Sequence, residues 1–177
     1  MLAYGGDAVR RSWAWFGPQA LKAAAEFDVP VELILATMAT ESVRSASSAS
    51  QAARMRGTSG EVGVMQTLPA TARAALGDRS LKAKQLEDPL TSARAGAAYI
   101  ALQLGETGYD PPLVAAAYNA GGVRPDSGKR NLWKLACYPR GTGRHVERFV
   151  GEFGDAMTLA RGRGVPGPSF VRLLSQS

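Results

Sequence analysis

The sequence predicts a single, mostly helical domain, and three observations carry that expectation. Alanine is abundant and runs of β-branched residues are few, which favours helix over sheet. Apolar residues recur at helical spacing in segments that open on proline or aspartate and close on glycine. Finally, 177 residues at 45% hydrophobic composition suffice for one sizeable core and are short for two. A mean hydropathy of −0.12 is far from the signature of a disordered chain.

The first helix is expected in GPQALKAAAEF, with Pro18 early and an end near Asp28. PVELILATMATESV follows, with Pro30 at a first helical position and Glu32 in the first turn. Its apolar residues Val31, Leu33, Ile34, Leu35, Ala36, Met38 and Ala39 surround the helix on nearly all sides, so it belongs in the core. SASSASQAARMRGTSGE, residues 45 to 61, is small, polar and aperiodic, and reads as a long loop of the functional or mobile kind. GVMQTLP is expected to hold a short extended piece, and PATARAALG a short helix closed by Gly77. DPLTSARAGAAYIALQLGETG has Asp88 as N-cap and Pro89 in its first turn. PPLVAAAYNAGG is a further helix, and HVERFVGEFGDAMTLARG sets Val146, Phe149, Val150 and Phe153 at helical spacing. The glycines and prolines after residue 162 suggest a domain over 1–162 and a tail over 163–177. That tail ends in Phe170, Val171, Leu173 and Leu174, which can dock on the domain or on a partner.

The net charge is +6 and the pI about 9.8, with basic residues thickening between Arg124 and Arg163. A solvated surface accounts for this, and so does attraction to a polyanion such as nucleic acid, an anionic membrane or the bacterial wall. One cysteine, Cys137, excludes an intramolecular disulfide and is expected as a small buried apolar residue. With that cysteine and a lone His145, no structural zinc site is expected. No apolar run is long enough to span a bilayer. Asp7, Arg10 and Arg11 interrupt the place where a secretory signal would have its apolar centre, so no signal peptide is expected.

Glu32 and Glu41 stand at opposite ends of the most hydrophobic helix. Glu32 lies where the dipole stabilises a negative charge, and reads as structural. Glu41 lies in the last turns, where the dipole disfavours it and hydration is poor, and both effects raise its pKa. A carboxylic acid that keeps its proton near neutral pH can protonate a glycosidic oxygen. An exposed helix-end glutamate, or one paired with Arg44, has the same sequence.

The choice is made by three separated points: Glu41-Ser42, then Gly63-Val64-Met65-Gln66, then Ala117-Tyr118-Asn119-Ala120-Gly121. In that order they resemble the soluble lytic transglycosylases, glycoside hydrolase family 23. That family's pattern is Glu-Ser, Gly-Leu-Met-Gln and Ala-Tyr-Asn-Ala-Gly. LPATARAAL and DPLTSARAGAAYIALQL are similar to two of its connecting helices, and the resemblance covers roughly residues 20 to 160.

The resemblance implies a lysozyme-like α+β fold in which the long loop and the extended piece form a saccharide cleft. It implies cleavage of the β-1,4 bond between N-acetylmuramic acid and N-acetylglucosamine in peptidoglycan, ending in a 1,6-anhydro product. Glu41 would act first as acid and then as base, with the substrate's N-acetyl group stabilising C1. Tyr118 would hold the acid or the N-acetyl group, Met65 and Gln66 would line the cleft, Gly63 would allow close backbone approach, and Asn119 would orient backbone or contact sugar. No cofactor or metal is required, the partner is the peptidoglycan glycan strand rather than nucleic acid, and a monomer is expected.

Four departures from the pattern stand out. Val64 replaces leucine. The stretch between Glu41 and Gln66 is longer than usual, so Ser45, Ser47, Ser48 and Ser50 compete for the family's N-acetyl-binding serine, and spacing favours Ser50. Glu61 is an unexpected acid, either solvated or a second carboxylate that would activate water, making the enzyme a muramidase like goose-type lysozyme. Phe149 stands where the late family helix often has tyrosine. NLWKLACYPRGTGRHVERFVGEF is similar to phage-encoded versions of the domain. With no export signal, the expectation is an enzyme made in the cytoplasm that reaches the wall after release, by injection or in a phage particle. A different class, a wall-binding or structural virion protein without turnover, has the same motifs.

Overall fold

The structure, a computed structural model, describes residues 6–123 and 140–175. Helix α1 spans Gly6–Phe27 and carries Pro18 in its interior, so it starts well ahead of the predicted GPQALK segment. An interior proline costs a helix about 3 kcal/mol. Here the buried face of Val9, Phe16, Ala20, Ala23 and Ala24 continues across it, and that burial outweighs the loss. Helix α2 spans Val31–Glu41, with Pro30 just outside it as N-cap. Val31 to Ala39 are all buried, as the all-round apolar pattern predicts, and α2 packs between α1 and the late helix α8. Each of its Leu, Ile and Met side chains is worth about 1.5–3 kcal/mol of burial.

Residues 45–61 are not a featureless loop. A 3-10 turn over Val43–Ser45 leads into a short helix α3, Ala49–Ala53. Ser48 caps it, its hydroxyl accepting from the Gln51 N–H at 3.2 Å. Serine-rich sequence reads as loop, yet serine is also a strong N-cap, and alanines follow it. The predicted extended piece is reduced to isolated antiparallel bridges of Val62 with Arg56 and with Thr67. No sheet exists among the described residues, and the architecture is helical.

Helix α4, Pro69–Leu76, ends on Gly77 in the left-handed conformation, as predicted. Helix α5, Pro89–Leu102, is capped by Asp88, which accepts from the Thr91 N–H at 2.8 Å. A single turn, α6 (Leu104–Thr107), precedes α7, Pro111–Ala120, which ends on Gly121 at φ +80°. Helix α8, Arg140–Arg163, packs on α2 and α7. Its inward stripe is Thr142, His145, Phe149, Glu152, Ala156 and Ala160, whereas Val150 is exposed. The predicted stripe through Val146 and Val150 is therefore rotated, because Thr142, His145 and Glu152 turn inward, where they meet Asn119, Glu41 and Arg44.

The segment after Gly162 runs back over the body. Val165 and Ser169 are buried, and a last short helix, α9, covers Phe170–Leu174. Glu32 is fully buried and receives it: its carboxyl accepts from the Phe170 N–H at 3.1 Å and from the Ser169 hydroxyl at 2.5 Å. Glu32 is structural, as expected, but its partners come from the far end of the chain. Cys137 and all of residues 124–139, the first part of the stretch where basic residues thicken, lie outside the described residues.

Candidate active site

Glu41 is the last residue of α2, and Ser42 beside it fixes the helix end to the next motif. The buried Ser42 hydroxyl donates to the Val64 carbonyl at 2.7 Å. The first two motifs are thus tied directly together. Glu41 lines a cleft of about 320 Å³ whose walls include Glu61, Gln66, Tyr99, Tyr118 and Asn119.

The Glu41 side chain is 18% exposed. Burial pushes its carboxyl up to about 7; the Arg148 guanidinium opposes the rise and the charge of Glu61 adds to it. A raised pKa was expected from the sequence, but there the helix dipole shared the cause, whereas desolvation leads here. Arg44 is not its partner: that guanidinium reaches Glu152 at 3.1 Å. Instead Nε2 of His145, from α8, stands 3.6 Å from Glu41 Oε1. The imidazole is nearly buried, which holds it down at about 4, so it is neutral at pH 7. In the sequence His145 bears only on whether zinc can bind; its place on the α8 stripe is the signal of this position.

Tyr118, on α7, donates its hydroxyl to the Met65 carbonyl at 2.8 Å and lies 3.2 Å from the Thr67 hydroxyl. Enclosure raises its pKa far above the usual tyrosine range, with the charge of Glu41 a smaller contributor, so the phenol stays protonated. Its ring packs against Tyr99 at 5.3 Å, a cleft residue that the motifs do not mark.

Met65 does not line the cleft. Its side chain is fully buried in the core against Gly96, where a Cβ would fall 2.3 Å from the Met65 methyl carbon. What Met65 offers the site is its carbonyl. Gly63 does serve close approach, but to the protein's own backbone: at φ +83°, a Cβ there would stand 2.1 Å from the Leu86 carbonyl oxygen. Gln66 lines the cleft at φ +46°, its amide donating to the Gly63 and Met55 carbonyls at 2.8 and 3.1 Å. Asn119 lines the cleft and its carbonyl oxygen accepts from the Thr142 hydroxyl at 3.1 Å, joining α7 to α8.

Ser50 is not brought to the cleft. It is exposed on α3, bonded to the Arg54 side chain, because the loop around it is helical and turns it outward. Glu61 is at the cleft, its carboxylate accepting from the Ser59 N–H at 2.9 Å. Phe149 is buried in the core. Among the described residues no cluster of three or more metal-ligating side chains occurs, and no helix is long and apolar enough to cross a membrane.

The fold is similar to that of two solved proteins. One is the lytic transglycosylase Slt from Pseudomonas aeruginosa, solved as an inactive mutant: TM-score 0.65, 21% identity, over 90% of this chain and 26% of that one. The other is the 70 kDa soluble lytic transglycosylase from Escherichia coli: TM-score 0.63, 19% identity, over 81% of this chain and 24% of that one. This chain spans about a quarter of the length of each, and at such identities the likeness is one of fold. The sequence itself matches the family model described as the transglycosylase SLT domain over residues 19–136, which takes in Glu41, the Gly63–Gln66 turn and Tyr118-Asn119. With the match running through all three motifs, and those motifs meeting at one cleft, the chain belongs to the transglycosylase SLT domain family.

Proposed function

We propose that the chain is a peptidoglycan lytic transglycosylase. It cleaves the bond between N-acetylmuramic acid and N-acetylglucosamine and closes the muramyl 6-hydroxyl onto C1. The observation that carries this reading is Glu41, a carboxyl in a sugar-sized cleft with its pKa raised to about 7. At that value it can give its proton to the leaving oxygen and then take one from the 6-hydroxyl. Both steps use one carboxylate. Asn119 and the Tyr118 ring line the cleft, which supports contact with substrate, and the net charge of +6 favours an anionic wall. Action at the wall, delivery by a phage particle or a lysis system, and a monomeric state belong to this proposal.

Glu61 supports a second reading. It faces the same cleft as Glu41, and a second carboxylate there can activate water, giving hydrolysis. Mass spectrometry of muropeptides released from purified peptidoglycan separates the two. The first reading expects products about 18 Da lighter than reducing-end muropeptides, one water fewer, lost in Glu41→Gln and retained in Glu61→Gln. Reducing-end products that vanish in Glu61→Gln would establish the muramidase instead. A wild type that binds peptidoglycan without releasing anything would overturn both and leave a binding protein.

A further inference from the structure

His145 is the one histidine of the chain, and no motif assigns it a role. It sits on the inward stripe of α8, side chain 8% exposed, with Nε2 directed within 3.6 Å of the acid's Oε1. A histidine on a buried stripe is usually satisfied by some core acceptor; this one meets the carboxyl that the chemistry uses. We infer that His145 is the positioning residue of Glu41, holding its carboxyl through both the protonated and the ionised stage of the reaction. The inference rests on the proposed role of Glu41 and deepens it.

The physical reason lies in what a neutral imidazole can do. A lone carboxyl that acts first as acid and then as base presents an O–H at one stage and only acceptors at the next. An uncharged imidazole meets both: unprotonated Nε2 accepts from the O–H, and in the other tautomer the Nε2–H donates to the carboxylate. A lysine could only donate, and would hold Glu41 ionised. A separation of 3.6 Å is longer than a made hydrogen bond, as is common at catalytic contacts before substrate closes the site.

Neutrality is enforced by the surroundings. Burial and the nearby Arg148 both oppose a charge on the ring. Among the described residues, the charged and titratable groups that act on the pair are Glu61 from the loop, Tyr118 from α7 and Arg148 one turn further along α8. The protonated Tyr118 phenol is committed to Met65 and Thr67, so among the described residues it is His145 that stands against the carboxyl. A bond formed to the ionised carboxylate would be the stronger of the two, so on this proposal removing the ring lets burial lift Glu41 further.

The test pairs His145→Phe with His145→Gln, whose amide can both donate and accept. Glu41 is followed by carbon-13 NMR titration of its carboxyl, assigned with Glu41→Gln, and cleavage of purified peptidoglycan is timed in parallel. In His145→Phe the Glu41 titration is expected to move up by about half a unit or more, and kcat to fall about tenfold with KM nearly unchanged. In His145→Gln both are expected to return towards wild type. A Glu41 titration unmoved by His145→Phe would overturn the proposal. So would equal losses in both variants accompanied by a lower Tm, the mark of a merely structural residue. The titration does not depend on turnover. A wild type that shows the shift but cleaves nothing would sink the transglycosylase reading and leave the His145–Glu41 coupling standing.

Discussion

Glu41 is flanked by charges of opposite sign, and Glu61 and Arg148 pull its titration in opposite directions. The proton donor must be protonated in the free enzyme, so kcat/KM is expected to fall as pH rises through about 7. Removing the negative charge in Glu61→Gln makes ionisation easier, and the alkaline limb should move to lower pH by about half a unit. Removing the positive charge in Arg148→Ala makes ionisation harder, and the limb should move up by a similar amount. The pH profile of peptidoglycan cleavage by the two variants checks this; shifts of the same sign would show that the limb does not belong to Glu41. Glu41 was legible in the sequence as the candidate acid, through the resemblance of its Glu-Ser motif to the family pattern. Of its neighbours, Glu61 was legible only as an acid either solvated or in the cleft, while His145 and Arg148 lie 104 and 107 residues away, and no local pattern brings them to α2.

At the scale of elements, the turn from Val62 to Thr67 is the joint of the site. It bonds to α2 through Ser42, to α5 through the Ser92 hydroxyl, and to α7 through Tyr118. Gly63 lets it seat. Alanine there would meet both an unfavourable positive φ and the Leu86 carbonyl, which is backbone and cannot swing away. Gly63→Ala is expected to lose about 3 kcal/mol or more by urea denaturation, and to lose activity as the Met65 carbonyl shifts under Tyr118. A variant as stable as wild type would mean the turn has another seating. The motif's glycine and glutamine were visible in the sequence, but whether Met65 faced sugar or core was not. A methionine between two functional residues carries no sign of which side it takes. Helix α8 teaches the same point: polar Thr142, His145 and Glu152 on its inward face hid its register, since apolar periodicity presumes that polar side chains face water.

For the molecule as a whole, α2 is held at both ends by distant parts of the chain. Glu41 at its C-terminal end meets α8, and Glu32 in its first turn receives the start of α9. Burial of Val165 and Ser169 makes the last stretch part of the packed body. Removing residues 164–177 would strip the buried Glu32 carboxyl of its donors, at an expected cost of about 2–4 kcal/mol in urea denaturation. A truncated protein with an unchanged midpoint would show that water replaces those bonds without loss.

The sequence by itself determined the helical class, the core position of α2, the caps at Asp88, Gly77 and Gly121, and the raised pKa of Glu41 at the end of an apolar helix. Those features rest on local physics, on spacing and on backbone preferences that a short window expresses in full. Only the tertiary structure decided that Met65 faces the core, that Ser50 faces away, that Glu61 and Tyr99 share the cleft, and that His145 meets Glu41. Each of these depends on how helices, and the turn from Val62 to Thr67, pack against one another. That packing is set by the summed burial and pairing of residues far apart in the chain.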